Sequence, residues 1–96
     1  MPDKTVKWTE TALRNAHNIR AYLDREFTRN EVEKFDRLLK AFEVNIKNFP
    51  KLYPRSKSRP DIRRAVLHKY TSLFYSIQED IIVVLAIQDN REEMRY

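Results

Sequence analysis

The sequence predicts an α+β fold. An N-terminal strand leads into an antiparallel helical hairpin, which packs on a curved antiparallel sheet ending in a three-strand meander. Three observations predict it. Apolar residues recur at helical spacing as far as Phe49, a loop holding Pro54 and Pro60 follows, and beyond it the period becomes that of strands.

Thr5-Val6-Lys7-Trp8 alternates polar and apolar residues and reads as a short first strand at the sheet edge. Thr9 is a natural N-cap for a helix over 10–26, whose Ala12, Ala16, Ile19 and Leu23 share one face. Thr28 with Glu31, or Asn30 with Glu33, supplies a capping box for a second helix. Val32, Phe35, Leu39, Phe42, Ile46 and Phe49 then follow at alternating spacings of three and four, so this phenylalanine stripe, with Trp8, is expected in the core. Pro50 ends the helix, and the short link between the helices makes them an antiparallel pair. Residues 51–61 read as an exposed loop. Strands are expected over 62–68, 71–78 and 81–87; the last is apolar throughout and therefore central, with both faces covered. The connections at 68–70 and 78–80 are short enough for hairpins but lack glycine. All 96 residues are assigned to one domain.

The composition removes whole classes of function. With no cysteine there are no disulfides, thiol nucleophiles or thiolate metal sites, and with no glycine there are no phosphate-cradling loops, dinucleotide fingerprints or nucleophile elbows. His17 and His68 are the only histidines and have no carboxylates at ligand spacing, so no metal is expected. No cofactor and no small-molecule substrate are expected either. No apolar run approaches the ~20 residues of a membrane span, and no apolar stretch follows the N-terminal Met-Pro-Asp-Lys, so the expected location is cytoplasmic, away from membranes.

The charge is localised. The net charge is +5, yet residues 51–70 alone carry +6: Lys51, Arg55, Lys57, Arg59, Arg63, Arg64 and Lys69 against the single acid Asp61. Such clustering marks an electrostatic footprint for a polyanion or an acidic partner, set against the plainer reading of a solvated loop beside a charge-protected edge strand. Arg63 and Arg64 are neighbours on a strand and must point to opposite faces. A meander can bring them to one concave face with His68, Lys69, Tyr75 and Arg91. Cations around a tyrosine and a histidine suit phosphodiester chemistry: guanidinium groups stabilise developing negative charge, while Lys69, His68 or Tyr75 moves protons. They suit non-catalytic binding of nucleic acid equally well, with Arg55, Lys57, Arg59, Arg63, Arg64 and Lys69 as contacts. Tyr75 also fits a core position, and Arg91 also fits a surface pair with Asp89 or Glu93.

Several motifs stand in a familiar order. Val6-Lys7-Trp8-Thr9-Glu10-x-Ala12 comes first, then Ile19-x-x-Tyr22-Leu23, Asn48-Phe49-Pro50 and Ile62-Arg63-Arg64-Ala65-Val66. Leu73-Phe74-Tyr75-Ser76-Ile77, the apolar run 81–87 and Gln88-Asp89-Asn90-Arg91 complete the series. In this order and spacing, over about residues 4–93, the chain resembles the RelE/ParE superfamily of bacterial type II toxin–antitoxin toxins, often labelled plasmid stabilisation proteins. The resemblance implies a toxin held inactive by a cognate antitoxin. It implies one of two targets: DNA gyrase, bound without chemistry, for ParE-like members, or ribosome-bound messenger RNA, cut by an endonuclease, for RelE-like members. By motif, Arg63 matches the arginine opening the second strand, and Arg91 the one after the last strand. The opening Trp-Thr-x-x-Ala and the long hairpin look more like the ParE side. Tyr70 is followed by Thr71 and Ser72 where many nuclease members carry an arginine, and the family's glycine in that turn is missing. The alternative is a non-toxic nucleic-acid- or protein-binding module on the same fold. An acidic antitoxin segment is expected to dock on or beside the basic stretch 51–70.

Overall fold

The structure is a computed structural model that describes residues 4–91. The chain runs β1 (Thr5–Trp8), α1 (Glu10–Glu26), α2 (Arg29–Asn48), β2 (Arg63–His68), β3 (Thr71–Gln78) and β4 (Ile81–Asp89). The sheet order is β1-β4-β3-β2. The fold is α+β as the sequence predicts, with one correction: the sheet is mixed. β2, β3 and β4 form the antiparallel meander, whereas β1 pairs parallel with β4, Thr5 opposite Ile81 and Trp8 opposite Val84. A tight turn dictates antiparallel pairing only between the strands it joins. No such turn links β1 to β4, so sequence pattern carries no information on their relative direction.

Thr9 caps α1 as its position suggests. Its hydroxyl oxygen accepts from the Ala12 N–H at 3.0 Å and donates to the Leu85 carbonyl at 3.1 Å. Leu85 is the extra residue of a bulge in β4, between the pairs Phe74–Ala86 and Tyr75–Val84. Asn15 Oδ1 accepts from the Ile87 N–H at 3.1 Å, so α1 is keyed to the sheet on both sides of that bulge. Thr28 is the N-cap of α2 but makes no side-chain capping bond. The Glu31 carboxylate that would complete the capping box is engaged by Arg91 instead. The Trp8 indole N–H donates to the Glu43 carboxylate and ties β1 to α2.

The helices cover one face of the sheet. Leu23, Phe35, Phe42 and Ile46 from the hairpin meet Ala65, Leu73, Tyr75, Ile82 and Val84, all at most 1% exposed. Each large apolar side chain buried there is worth roughly 1.5–3 kcal/mol. β4 is central, but its second face is only half-buried at Ile81, Val83 and Leu85. Trp8 packs at the core margin. Phe49 corrects the expected stripe: it is 64% exposed, because it follows the last helical residue, Asn48, and leaves the helical path. Among the described residues, no helix is long and apolar enough to cross a membrane.

The β3–β4 turn forces Glu79 to φ 54°, left-handed backbone that favours glycine. It is braced by Lys4, whose ammonium donates to the Glu79 carbonyl at 2.6 Å, and by the Thr5 N–H donating to the Asp80 carbonyl at 3.1 Å. Glu79→Gly is therefore expected to stabilise the protein by about 0.5–1 kcal/mol. A thermal melt checks this; a lower Tm would mean that the turn carries no such strain.

Candidate functional site

Apart from Tyr75, the sequence-predicted site residues separate into two groups at opposite ends of β2. Arg63 and Arg64 open the strand and His68 closes it, about 16 Å away along extended backbone. A single cluster on one concave face is therefore not what the fold builds.

The first group surrounds the loop before β2. Pro54 and Arg55 lie against the strand: the Arg64 N–H donates to the Pro54 carbonyl at 3.0 Å, and Arg55 bridges Arg63. The Ser56 N–H donates to the Ile62 carbonyl at 2.7 Å, and the Ile62 N–H to the Arg59 carbonyl at 2.9 Å, giving the loop a fixed path. Arg63 and Arg64 point to opposite faces, as alternation requires. Arg63 pairs with core-facing Tyr75, is half-buried, and donates to the Tyr53 carbonyl at 2.8 Å. Arg64 is exposed beside Phe74 on the face without helices, 3.4 Å from the Ser72 hydroxyl.

Arg55, Lys57 and Arg64, together with Ser56, Ser58 and Val66, line a cleft of about 530 Å³. A second cleft of about 500 Å³ on the other side of Arg55 is lined by Lys51, Arg63, Asp61 and Ile77. Asp61 does not neutralise this surface, because Arg59 holds it in a two-pronged hydrogen bond at 3.1 and 3.2 Å. That pairing lowers the Asp61 pKa and raises that of Arg59. Lys51, Arg55, Lys57 and Arg64 have no ion-pair partner among the described residues. They form a continuous, uncompensated positive surface with hydroxyl donors between them.

The second group sits at the β2–β3 turn. Lys69 Nζ lies 5.0 Å from the Tyr70 ring centre, and His68 packs beside the same ring. The Arg91 guanidinium lies 5.4 Å from Tyr70 and 5.5 Å from Phe27, above both rings. It is also ion-paired at 2.8 Å with Asp89 and at 2.8 Å with Glu31 at the start of α2. Its side chain is 9% exposed and that of Asp89 3%. Burial alone would raise the Asp89 carboxyl; hydrogen bonds from Arg91 and Thr71 outweigh it and hold the group below the usual carboxylate range. Arg91 is thus a clasp between the end of β4 and the helical hairpin, with its charge already answered. The sequence shows its pairing with Asp89; Glu31, Phe27 and Tyr70 are too distant along the chain to be read. Glu93 lies outside the described residues.

Tyr75 belongs to neither group. It is fully buried between Phe42 and Tyr53, and its hydroxyl donates to the Pro50 carbonyl at 2.8 Å. Burial pushes its phenol above the ordinary tyrosine value, so it holds its proton. Tyr53, which carries Arg63 on its carbonyl and packs on Phe42, carries no signal in the sequence beyond its type.

Comparison with known proteins follows the same lines. The model of the family described as ParE toxin of type II toxin-antitoxin system, parDE, matches residues 6–94. No curated protein matches. Among solved structures, the chain is similar to one from the chromosomal ParDE toxin–antitoxin system of P. aeruginosa, with TM-score 0.75, 16% identity, and 90% of this chain and 95% of that chain covered. It is also similar to a chain of the RelBE2 toxin–antitoxin complex of Mycobacterium tuberculosis, with TM-score 0.64, 17% identity and coverage of 91% and 98%. A chain of the E. coli DinJ–YafQ toxin–antitoxin complex aligns with TM-score 0.60, 11% identity and coverage of 94% and 96%. At these identities the likeness speaks for the fold.

Proposed function

The chain belongs to the ParE toxin family of type II toxin–antitoxin systems, and from that premise we propose that it disables its target by binding rather than by chemistry, with DNA gyrase as the target. The observation that carries this reading is that neither cationic cleft beside Arg55 is lined, among the described residues, by a histidine or tyrosine that could move a proton. Arg55, Lys57 and Arg64, without ion-pair partners among the described residues, stand on an open surface, while His68 and Lys69 lie at the other end of β2. The tyrosine that would move a proton is buried and hydrogen-bonded, and the arginine that would stabilise a transition state is tied to two carboxylates. General acid–base cleavage of RNA needs both kinds of group at one phosphate. A broad positive surface needs neither; it steers and holds an acidic protein or a protein–DNA complex.

Within this reading an antitoxin keeps the toxin inactive, supported by the toxin–antitoxin complexes among the similar structures. The protein works without a cofactor, in the cytoplasm, where both gyrase and antitoxin are met. Expression with and without the antitoxin, followed by primer extension on cellular messages, tests the absence of chemistry. Growth should stop without the antitoxin and no new message ends should appear. Tyr75→Phe sharpens the test. It removes the hydroxyl that donates to the Pro50 carbonyl and should cost about 1 kcal/mol of stability, while toxicity stays at the wild-type level. Toxin-dependent message ends that vanish in Tyr75→Phe would establish cleavage instead.

A further inference from the structure

Phe49 continues the apolar spacing of α2, yet the fold leaves it in solvent. It is 64% exposed, and Leu52, three residues on, is 52% exposed. Both are held in place by backbone: the Phe49 N–H donates to the Asn45 carbonyl at 2.8 Å, and the Leu52 N–H to the Phe49 carbonyl at 3.0 Å. With Pro50 and Ile77 they line an apolar cleft of about 450 Å³ at the C-terminal corner of α2. Two exposed large apolar side chains fixed beside one cleft are a recognition feature rather than scattered surface residues.

Charge identifies the occupant. Among the described residues the cleft has no acidic lining, and two lysines flank it. Lys4 is already engaged by the Glu79 carbonyl at 2.6 Å and lies 3.9 Å from Asp80; Lys51 is free. Lys51 and Ile77 also line the cationic cleft that holds Arg55 and Arg63, so apolar floor and positive surface are continuous. A second copy of this chain would bring like charge against it, whereas nucleic acid has no use for the apolar floor. A segment with apolar side chains next to acidic ones fits both halves.

We propose that the antitoxin anchors an apolar, acid-flanked segment in this cleft. Its apolar side chains rest on Phe49, Leu52 and Ile77, and its carboxylates reach Lys51 and Arg55. The same segment then screens the positive target-binding surface. This rests on the toxin reading above, and the test separates the two. Binding of the full-length cognate antitoxin is measured by fluorescence anisotropy to the wild-type toxin, Phe49→Asp and Leu52→Asp, with thermal melts as folding controls. Each substitution should weaken binding by about 30-fold or more, leave Tm unchanged, and leave toxicity in the absence of antitoxin unchanged. Folded variants that bind as tightly as wild type overturn the proposal while the toxin reading stands. So does a wild-type dimer in sedimentation that Phe49→Asp dissolves without loss of antitoxin affinity. Failure of the antitoxin to bind or neutralise even the wild type would overturn the toxin reading, and this proposal with it.

Discussion

Arg91→Ala is expected to cost about 3 kcal/mol of folding stability and to lower Tm by on the order of 15 °C. The guanidinium is nearly buried, makes ion pairs of 2.8 Å with Asp89 and Glu31, and lies across the rings of Phe27 and Tyr70. Its removal strands the Asp89 carboxylate, whose side chain is 3% exposed, with the Thr71 hydroxyl as its one remaining side-chain donor among the described residues. Leaving a buried charge uncompensated is the main source of the loss, since the pair itself gains little over its desolvation. The pH dependence follows from Asp89. In the wild type its pKa lies below the unfolded value of about 3.9, so its stabilisation is complete above that value and lost as pH falls through the folded one. In Arg91→Ala the desolvated carboxyl moves upward, and protonation relieves the penalty. Wild type and variant should therefore converge in stability as pH falls from 7 towards 3. A Tm within about 2 °C of wild type at pH 7 would show that Arg91 is not the clasp described. Reduced toxicity of this variant would then report on a contact rather than on folding.

The second large effect concerns the positive surface. Reversing Arg55, Lys57 and Arg64 to glutamate takes the net charge from +5 to −1 and inverts the field over the larger cleft. All three side chains are exposed and none holds an ion pair among the described residues, so the fold and Tm should be preserved. Affinity for the target should fall by about 100-fold or more through lost steering and like-charge repulsion. Growth inhibition on induction should disappear. Wild-type binding should also weaken steeply with added salt, since exposed charges are screened within about 10 Å at 0.1 M ionic strength. Arg63 is left out of this variant because its bond to the Tyr53 carbonyl makes it part of the structure.

Local elements were legible because local rules made them. Thr9 and Phe27 bound α1, Pro50 ends α2, and the change from helical to alternating spacing places the meander within a residue or two. The parallel pairing of β1 with β4 was not legible, because no turn joins them. Phe49 shows the limit of periodicity: its spacing matches Ile46, but the stripe outlasts the helix by one residue. The clustering of positive charge was legible as charge density, and the fold brings Arg55, Lys57 and Arg64 to one cleft. The supposed single cluster was not a cluster. Strand residues five apart cannot share a small site, and Glu31, which pairs with Arg91 alongside Asp89, lies 60 positions away. Which cations are free is a tertiary property, and so is the burial that removes Tyr75 from chemistry.

The most direct test of the account is gyrase supercoiling in a purified system, titrated with wild-type toxin and with the Arg55→Glu, Lys57→Glu, Arg64→Glu variant. Wild type should inhibit supercoiling, and the folded variant should require about 100-fold more protein for the same inhibition. Supercoiling left intact by the wild-type toxin, or inhibited equally by the variant, would contradict it.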